Sequence, residues 1–434
     1  MGISFTNARL AAWGFAVAIP AILAAGTPRA HAASGVTESV LWRFGPPPDG
    51  KYPLGGVILD NSGNLFGTTN TGGSGFNGTV FELSPPAEGQ TAWTETLLYS
   101  FDTYEADRPT GSLVQDSKGV LYGTATSGQD ANGGVFTLTP NGQGGWGESV
   151  LCNSNCLQVA TGGVALGPKG GLIVPTEGGN NTSVGDGFAR MLPPGRGPKR
   201  SDWTATLVAD LSGTNYIPNG PPLIGIDNIG YGTVQTFYSD GSCTGACGAV
   251  LQARHLAAGG WASKVLWQFT GGTDGSQPLA GVIRDSAGNL YGTASAGGTG
   301  GAGTVFELSP PVHGQHAWTL TTLYSFSGPD GQGPAAALLA DKTGALYGTA
   351  SSTLTNGVYG CGVVFKLTPP AGGVGNWTES TLYSFVGNKT GDGCYPQANL
   401  IADSAGALYS TTKNGGAKAN YGTVFKLTGT GFVP

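Results

Sequence analysis

Thr37-Glu-Ser-Val-Leu-Trp-Arg-Phe44 is a phrase in the wrong place. Its pattern matches Trp-Thr-x-Thr-x-Leu-Tyr-Ser-Phe, which stands at Trp93 to Phe101, Trp318 to Phe326 and Trp377 to Phe385, with weaker copies from Trp146, Trp203 and Trp261. Each of those six copies follows a second phrase, Gly-Thr-Val-Phe-x-Leu, found at Gly78 and Gly303 and, as variants, at Gly134, Gly187, Gly248 and Gly362. A seventh second phrase starts at Gly422 and has no follower, because the chain stops soon after Leu427. Its missing partner is the phrase at 37–44.

A third phrase, an Asp-x-x-Gly turn leading into an apolar-aromatic run, completes the unit. It stands at Asp60 to Thr68, Asp116 to Thr124, Asp285 to Thr293, Asp341 to Thr349 and Asp403 to Thr411, with degenerate copies at Gly167 to Leu172 and Asp227 to Thr233. Seven units follow one another with a mean period of about 57 residues. Each divides into four short strands, as in Gly55 to Asp60, Leu65 to Thr69, Thr79 to Ser84 and Trp93 to Phe101, punctuated by Gly, Pro, Asn and Asp. Units of this kind predict an all-β, seven-bladed β-propeller of four-stranded blades. The displaced phrase then closes the ring as an N-terminal strand completing the last blade, which leaves no open seam between the termini. An open β-solenoid is the alternative, and it does not explain the displacement. Small residues in the first strand, as in Ala335 to Ala340, suit the crowded axis, and aromatics in the fourth suit the wider space between outer blades.

Composition agrees. Gly (78) and Pro (27) make up about a quarter of 434 residues, yet nine Trp, fifteen Tyr and seventeen Phe supply enough apolar surface to offset chain entropy. Charged residues are 11%, too few for a coiled coil, and the net charge of −6 with no basic run excludes a phosphate-tracking nucleic-acid surface. Residues 1–32 have the three parts of a secretory signal: Arg9, an apolar stretch from Leu10 to about Gly26, and the small-residue site Ala30-His31-Ala32. A retained membrane anchor is the alternative reading of this stretch. Cleavage would leave residues 33–434 as one propeller, secreted or periplasmic, with no membrane span and expected to be a monomer.

Gly288-Asn-Leu-Tyr-Gly-Thr293 followed by Gly303-Thr-Val-Phe-Glu-Leu-Ser-Pro-Pro311 resembles the GloVer tandem repeat of exported bacterial proteins, whose members carry a choice of C-terminal anchors. Recognisable copies cover about residues 36 to 428. The resemblance implies an exported bacterial repeat protein and carries over no catalytic residues. Residues 429–434, Gly-Thr-Gly-Phe-Val-Pro, show neither a hydrophobic tail nor a sorting motif, so surface anchoring is not expected.

In an up-and-down blade, the loops between strands two and three share a face with the connections between blades. All six Cys fall there, and local bridges Cys152–Cys156, Cys243–Cys247 and Cys361–Cys394 are expected, with zinc at the two Cys-x-x-x-Cys pairs as the alternative. His255, His313 and His316 fall on the opposite face, and no nucleophile elbow or metal-binding His pair appears. The Asp-Gly pairs at Asp49, Asp274, Asp330 and Asp392 read as turn devices. No cofactor is expected, apart from a weak calcium role at the Asp-x-x-Gly turns.

Ligand-binding candidates are residues that depart from the repeat. The densest stretch is Asp102-Thr-Tyr104-Glu105-Ala-Asp107-Arg108, joined by Glu177, Asp186, Tyr238 and Asp240 in irregular loops of the same face. Tyr stacks on the apolar side of a sugar and carboxylates accept from its hydroxyls. The leading expectation is a propeller that binds an extracellular polysaccharide or protein through this face. A glycoside hydrolase with paired acids, a polysaccharide lyase using Tyr and Arg, and a structural surface protein without catalysis are the other readings.

Overall fold

The computed structural model describes residues 31–102, 107–127, 133–142, 144–152, 158–159, 162–177, 185–193, 203–212, 214–225, 229–236, 247–256, 259–312, 315–387, 391–416 and 420–434. Its strands form seven antiparallel blades. Blade 1 runs Ile58–Leu59, Leu65–Thr69, Thr79–Ser84, Thr94–Ser100 from axis to rim, and blades 2 to 6 repeat that order through to Thr378–Ser384. Blade 7 takes Ile401–Ala402, Leu408–Thr412 and Thr423–Thr428 from the C-terminal end and Thr37–Arg43 from the N-terminal end.

The displaced strand is bonded as the sequence predicts. Thr37 opposes Thr428 and Arg43 opposes Thr423, with a register shift between Val40 and Trp42. The same shift stands at the matching place in every other blade, for instance between Val80 and Phe81 and between Val305 and Phe306. A bulge at the equivalent site identifies Thr37–Arg43 as a true fourth strand. Three more bonds cross the seam: Tyr52 N to Tyr421 O (2.8 Å), Phe44 N to Gly422 O (3.1 Å) and Thr411 Oγ1 to Gly55 O (3.0 Å).

Each motif residue has a packing reason. The Gly of Leu-Tyr-Gly-Thr makes room for the Phe of Gly-Thr-Val-Phe: a methyl group at Gly292 would lie 2.6 Å from Phe306 Cζ. The following Thr bonds the neighbouring blade near the axis, as in Thr233 to Ala280 O (2.8 Å) and Thr293 to Ala336 O (3.0 Å). In five blades a Phe just after the fourth strand meets the next blade edge to face, with centroids 5.2 Å apart for Phe44–Phe81 and 5.1 Å for Phe326–Phe365. The Asp of each Asp-x-x-Gly turn accepts its own backbone: Asp60 Oδ1 takes Ser62 N and Asn64 N, both at 2.8 Å.

Two details differ from expectation. First strands are ladder-bonded over only two residues in most blades, Ile58–Leu59 in blade 1, because the preceding glycines pack backbone against backbone around the axis. A Cβ on Gly55 would stand 2.5 Å from Gly111 O, and one on Gly111 2.5 Å from Gly163 Cα. Blade 6 also gains a fifth, outermost strand, since His31–Ala32 pairs with Tyr383 and Ser384. Residues 1–30 lie outside the described residues. No helix among the described residues is long and apolar enough to cross a membrane.

Candidate functional site

The repeat builds the same stitch at most blade boundaries on the face of the inter-blade connections. A residue just before a proline takes positive φ: Tyr52 (57°), Arg108 (55°), Gln277 (54°), Gly333 (66°) and Tyr395 (58°). Its N–H donates back to the previous blade, from Arg108 to Asn77 O, Gln277 to Cys247 O and Tyr395 to Cys361 O, at 2.8 to 2.9 Å. Its carbonyl accepts from its own blade, from Asn70 N at 3.1 Å for Tyr52 and from Lys413 N at 3.1 Å for Tyr395. The proline then packs on the glycine of the previous Gly-Thr-Val-Phe, where a Cβ on Gly303 would fall 2.6 Å from Pro334 Cδ. Left-handed backbone at bulky residues is unfavourable and persists where surrounding contacts over-determine it, as they do here.

Two positions beyond each stitch residue, Leu54, Thr110, Leu279, Ala335 and Gln397 line an open axial cavity of about 330 Å³. Its polar side chains are all uncharged. Ser112 Oγ accepts Gly56 N (2.9 Å) and lies 3.3 Å from Asn399 Oδ1. Thr110 Oγ1 is buried without a hydrogen-bond partner. Gln235 and Gln397 also line the cavity, and no carboxylate, Lys or Arg appears among its described lining residues.

The same face carries every strongly exposed aromatic among the described residues. Phe76 (65% exposed) lies in the strand two–three loop of blade 1, Tyr359 (66%) at the tip of the blade 6 hairpin Thr353–Thr355/Val358–Gly360, and Tyr395 (38%) in the connection to blade 7. The exposed apolar residues of the opposite face, such as Val312 and Val374, are aliphatic. Tyr52 stands edge-on to Tyr421 at 6.2 Å, and Lys51 Nζ sits 4.3 Å above the Tyr421 ring.

Cys361 and Cys394 form a disulfide that ties the end of blade 6's loop to the connection carrying Tyr395. Cys247 is also disulfide-bonded, while its expected partner Cys243 lies outside the described residues. Cys152 ends a blade 2 strand with only its backbone described, and Cys156 is outside.

The predicted ligand-binding residues are placed unevenly. Tyr104, Glu105, Tyr238 and Asp240 lie outside the described residues, and Glu177 is described by backbone alone. Asp102 is exposed, and Asp186 is half-buried with its carbonyl accepting Leu211 N at 2.9 Å. Asp107 is 8% exposed in a short strand, Asp107–Pro109, paired with Ser127 and Ala125 of blade 2. Arg108 is exposed. The 102–108 stretch departs from the repeat in residue type but keeps its frame, since Arg108-Pro109 occupies the stitch held elsewhere by Tyr52-Pro53 and Gln277-Pro278. His255 and His316 are exposed, and His313 is outside the described residues.

Sequence reasoning missed a second set of carboxylates, on the rim. Glu38, Glu95 and Glu379 stand near the start of fourth strands, two residues after a Trp in blades 1 and 6. Burial pushes each up from 4.5 to about 7, and an Asp across the blade boundary adds to the rise: Asp392 for Glu38, Asp49 for Glu95, Asp330 for Glu379. Arg43 opposes the shift of Glu38. Glu38 Oε1 and Glu95 Oε1 are buried without a partner. Burial also raises Asp49 and Asp392, against the pull of N–H donors from Gly45, Gly50, Val386 and Gly393. The recurrence of Glu in the Trp-Thr-Glu triplets at 93–95 and 377–379 was the signal available. Among the described residues no group of three or more His, Cys, Asp and Glu is arranged to hold a metal ion.

The family model for the Gloeobacter/Verrucomicrobia repeat matches residues 25–185 and 217–433. No curated protein matches the chain. Among solved structures, a luciferin-regenerating enzyme aligns at 11% identity over 92% of this chain and 97% of its own, with a TM-score of 0.45. A gluconolactonase from Xanthomonas campestris aligns at 11% identity over 92% and 94%, with a TM-score of 0.44. At that level neither likeness bears on ligand or reaction.

Proposed function

The chain belongs to the Gloeobacter/Verrucomicrobia repeat family, and from that premise we propose that it is an exported propeller that binds a glycan through the face bearing the stitches and the Cys361–Cys394 disulfide. The segregation of exposed aromatics supports the reading: Phe76, Tyr359 and Tyr395 all stand on the face of the axial cavity, whose small and apolar wall is interrupted by neutral amide and hydroxyl residues. Aromatic rings stack on the apolar faces of sugars, and neutral donors and acceptors match sugar hydroxyls. The signal-like segment at 1–32 and a disulfide are both compatible with export into an oxidising compartment.

Glycan-array binding of the secreted protein, with a reducing-sugar and unsaturated-uronate assay alongside, tests the proposal. Binding without turnover is expected, weakened by Tyr395→Ala or Tyr359→Ala and unchanged by Val312→Ala or Val374→Ala on the opposite face. Equal loss from both faces, or no glycan bound at all, refutes it.

A further inference from the structure

Resting on the reading above, we infer that the axial cavity receives the end of an uncharged saccharide chain, one sugar deep, and discriminates against uronates and sulfated sugars. Three observations carry this. Its volume of about 330 Å³ is at the small end of ligand pockets, enough for a terminal unit but not for an internal stretch of polymer. Its mouth is bordered by the residues two positions beyond five stitches, whose backbone is pinned between neighbouring blades. The described wall carries neutral polar residues, among them Ser112, Asn219, Gln235, Gln397 and Asn399, set between small and apolar ones.

Side-chain amides and hydroxyls both donate and accept, so sugar hydroxyls match this set in both roles. A carboxylate or sulfate entering the cavity would lose hydration without a compensating cation among the described lining residues, none of which is Lys or Arg.

Titration calorimetry with cello-, xylo- and malto-oligosaccharides, set against oligogalacturonate of matched length, reads the selectivity. A neutral series should bind, and blocking its non-reducing or its reducing end should abolish binding. Gln397→Leu should weaken it about tenfold, the scale of one hydrogen bond. Gln235→Leu serves if that variant fails to melt like the parent. Ala335→Phe, which fills the mouth, should eliminate binding. Oligogalacturonate binding as tightly as the neutral sugars, or neutral binding that survives Ala335→Phe, overturns the inference. If Tyr395→Ala removes binding while Ala335→Phe does not, the face is correct and the cavity assignment is wrong. If no probe binds, both fall.

Discussion

Glu38, Glu95 and Glu379 should make the ring less stable as pH rises from about 5 to about 8. Each carboxyl goes from 4.5 in the unfolded chain to about 7 in the fold, so the folded state holds the proton more tightly. The associated stability is complete below the unfolded value and is lost as pH climbs through about 7. A rise of about 2.5 pH units at about 1.4 kcal/mol each sets a ceiling near 3.4 kcal/mol per group. These side chains are only partly buried at the rim, and solvent screening lowers the figure to about 1 kcal/mol each. They sit on three separate blade boundaries, so their effects should add to about 3 kcal/mol. Asp341 and Asp403 shift downward, held by hydrogen bonds from their own turns and from Tyr347 and Tyr409, and their contribution is already complete above about pH 5. Urea unfolding followed by tryptophan fluorescence at pH 5.5 and 8 measures the difference. Glu38→Gln, Glu95→Gln and Glu379→Gln combined should flatten the slope, leaving the variant more stable than the parent at pH 8 and close to it at pH 5.5. A parent whose stability is constant or rises across this window, or a triple variant that keeps the slope, refutes the argument.

Two further outcomes follow from closure. Deleting residues 36–44 removes the fourth strand of blade 7 and the Phe44–Phe81 contact, and should lower the melting temperature of the whole ring in one transition. A parent-like melt would show that the seam contributes nothing. Replacing Cys361 and Cys394 together by Ala should cost about 2 to 4 kcal/mol in denaturant titration, and reducing agent should then have a smaller effect than on the parent. An unchanged midpoint would place the bond outside the cooperative unit.

Blade number, closure and strand order were legible because each rests on a local phrase repeated seven times, and the orphan at 37–44 identified the seam. The Asp-Gly turns were legible in part: Asp274 accepts Thr270 N at 2.9 Å, and Gly275 and Gly331 take positive φ, whereas Gly50 and Gly393 lie in short paired strands. The site was less so. Looking for departures from the repeat drew attention to carboxylates at 102–108, yet the polar wall of the cavity comes from Thr110, Gln235, Gln397 and Asn399, which sit inside repeat positions. Their convergence is set by the ring's curvature, which no single blade encodes. The raised Glu side chains escaped notice for a related reason, since the Asp that each one faces belongs to the preceding blade.

The stitch fastens neighbouring blades through main-chain N–H and C=O groups, which is why side chains as different as those of Tyr52, Arg108, Gln277, Gly333 and Tyr395 can all fill it. Such positions behave as sockets: what is plugged into each one is free to change while the mechanical joint beneath stays the same. A change of side chain at one boundary need not disturb how the wheel is assembled.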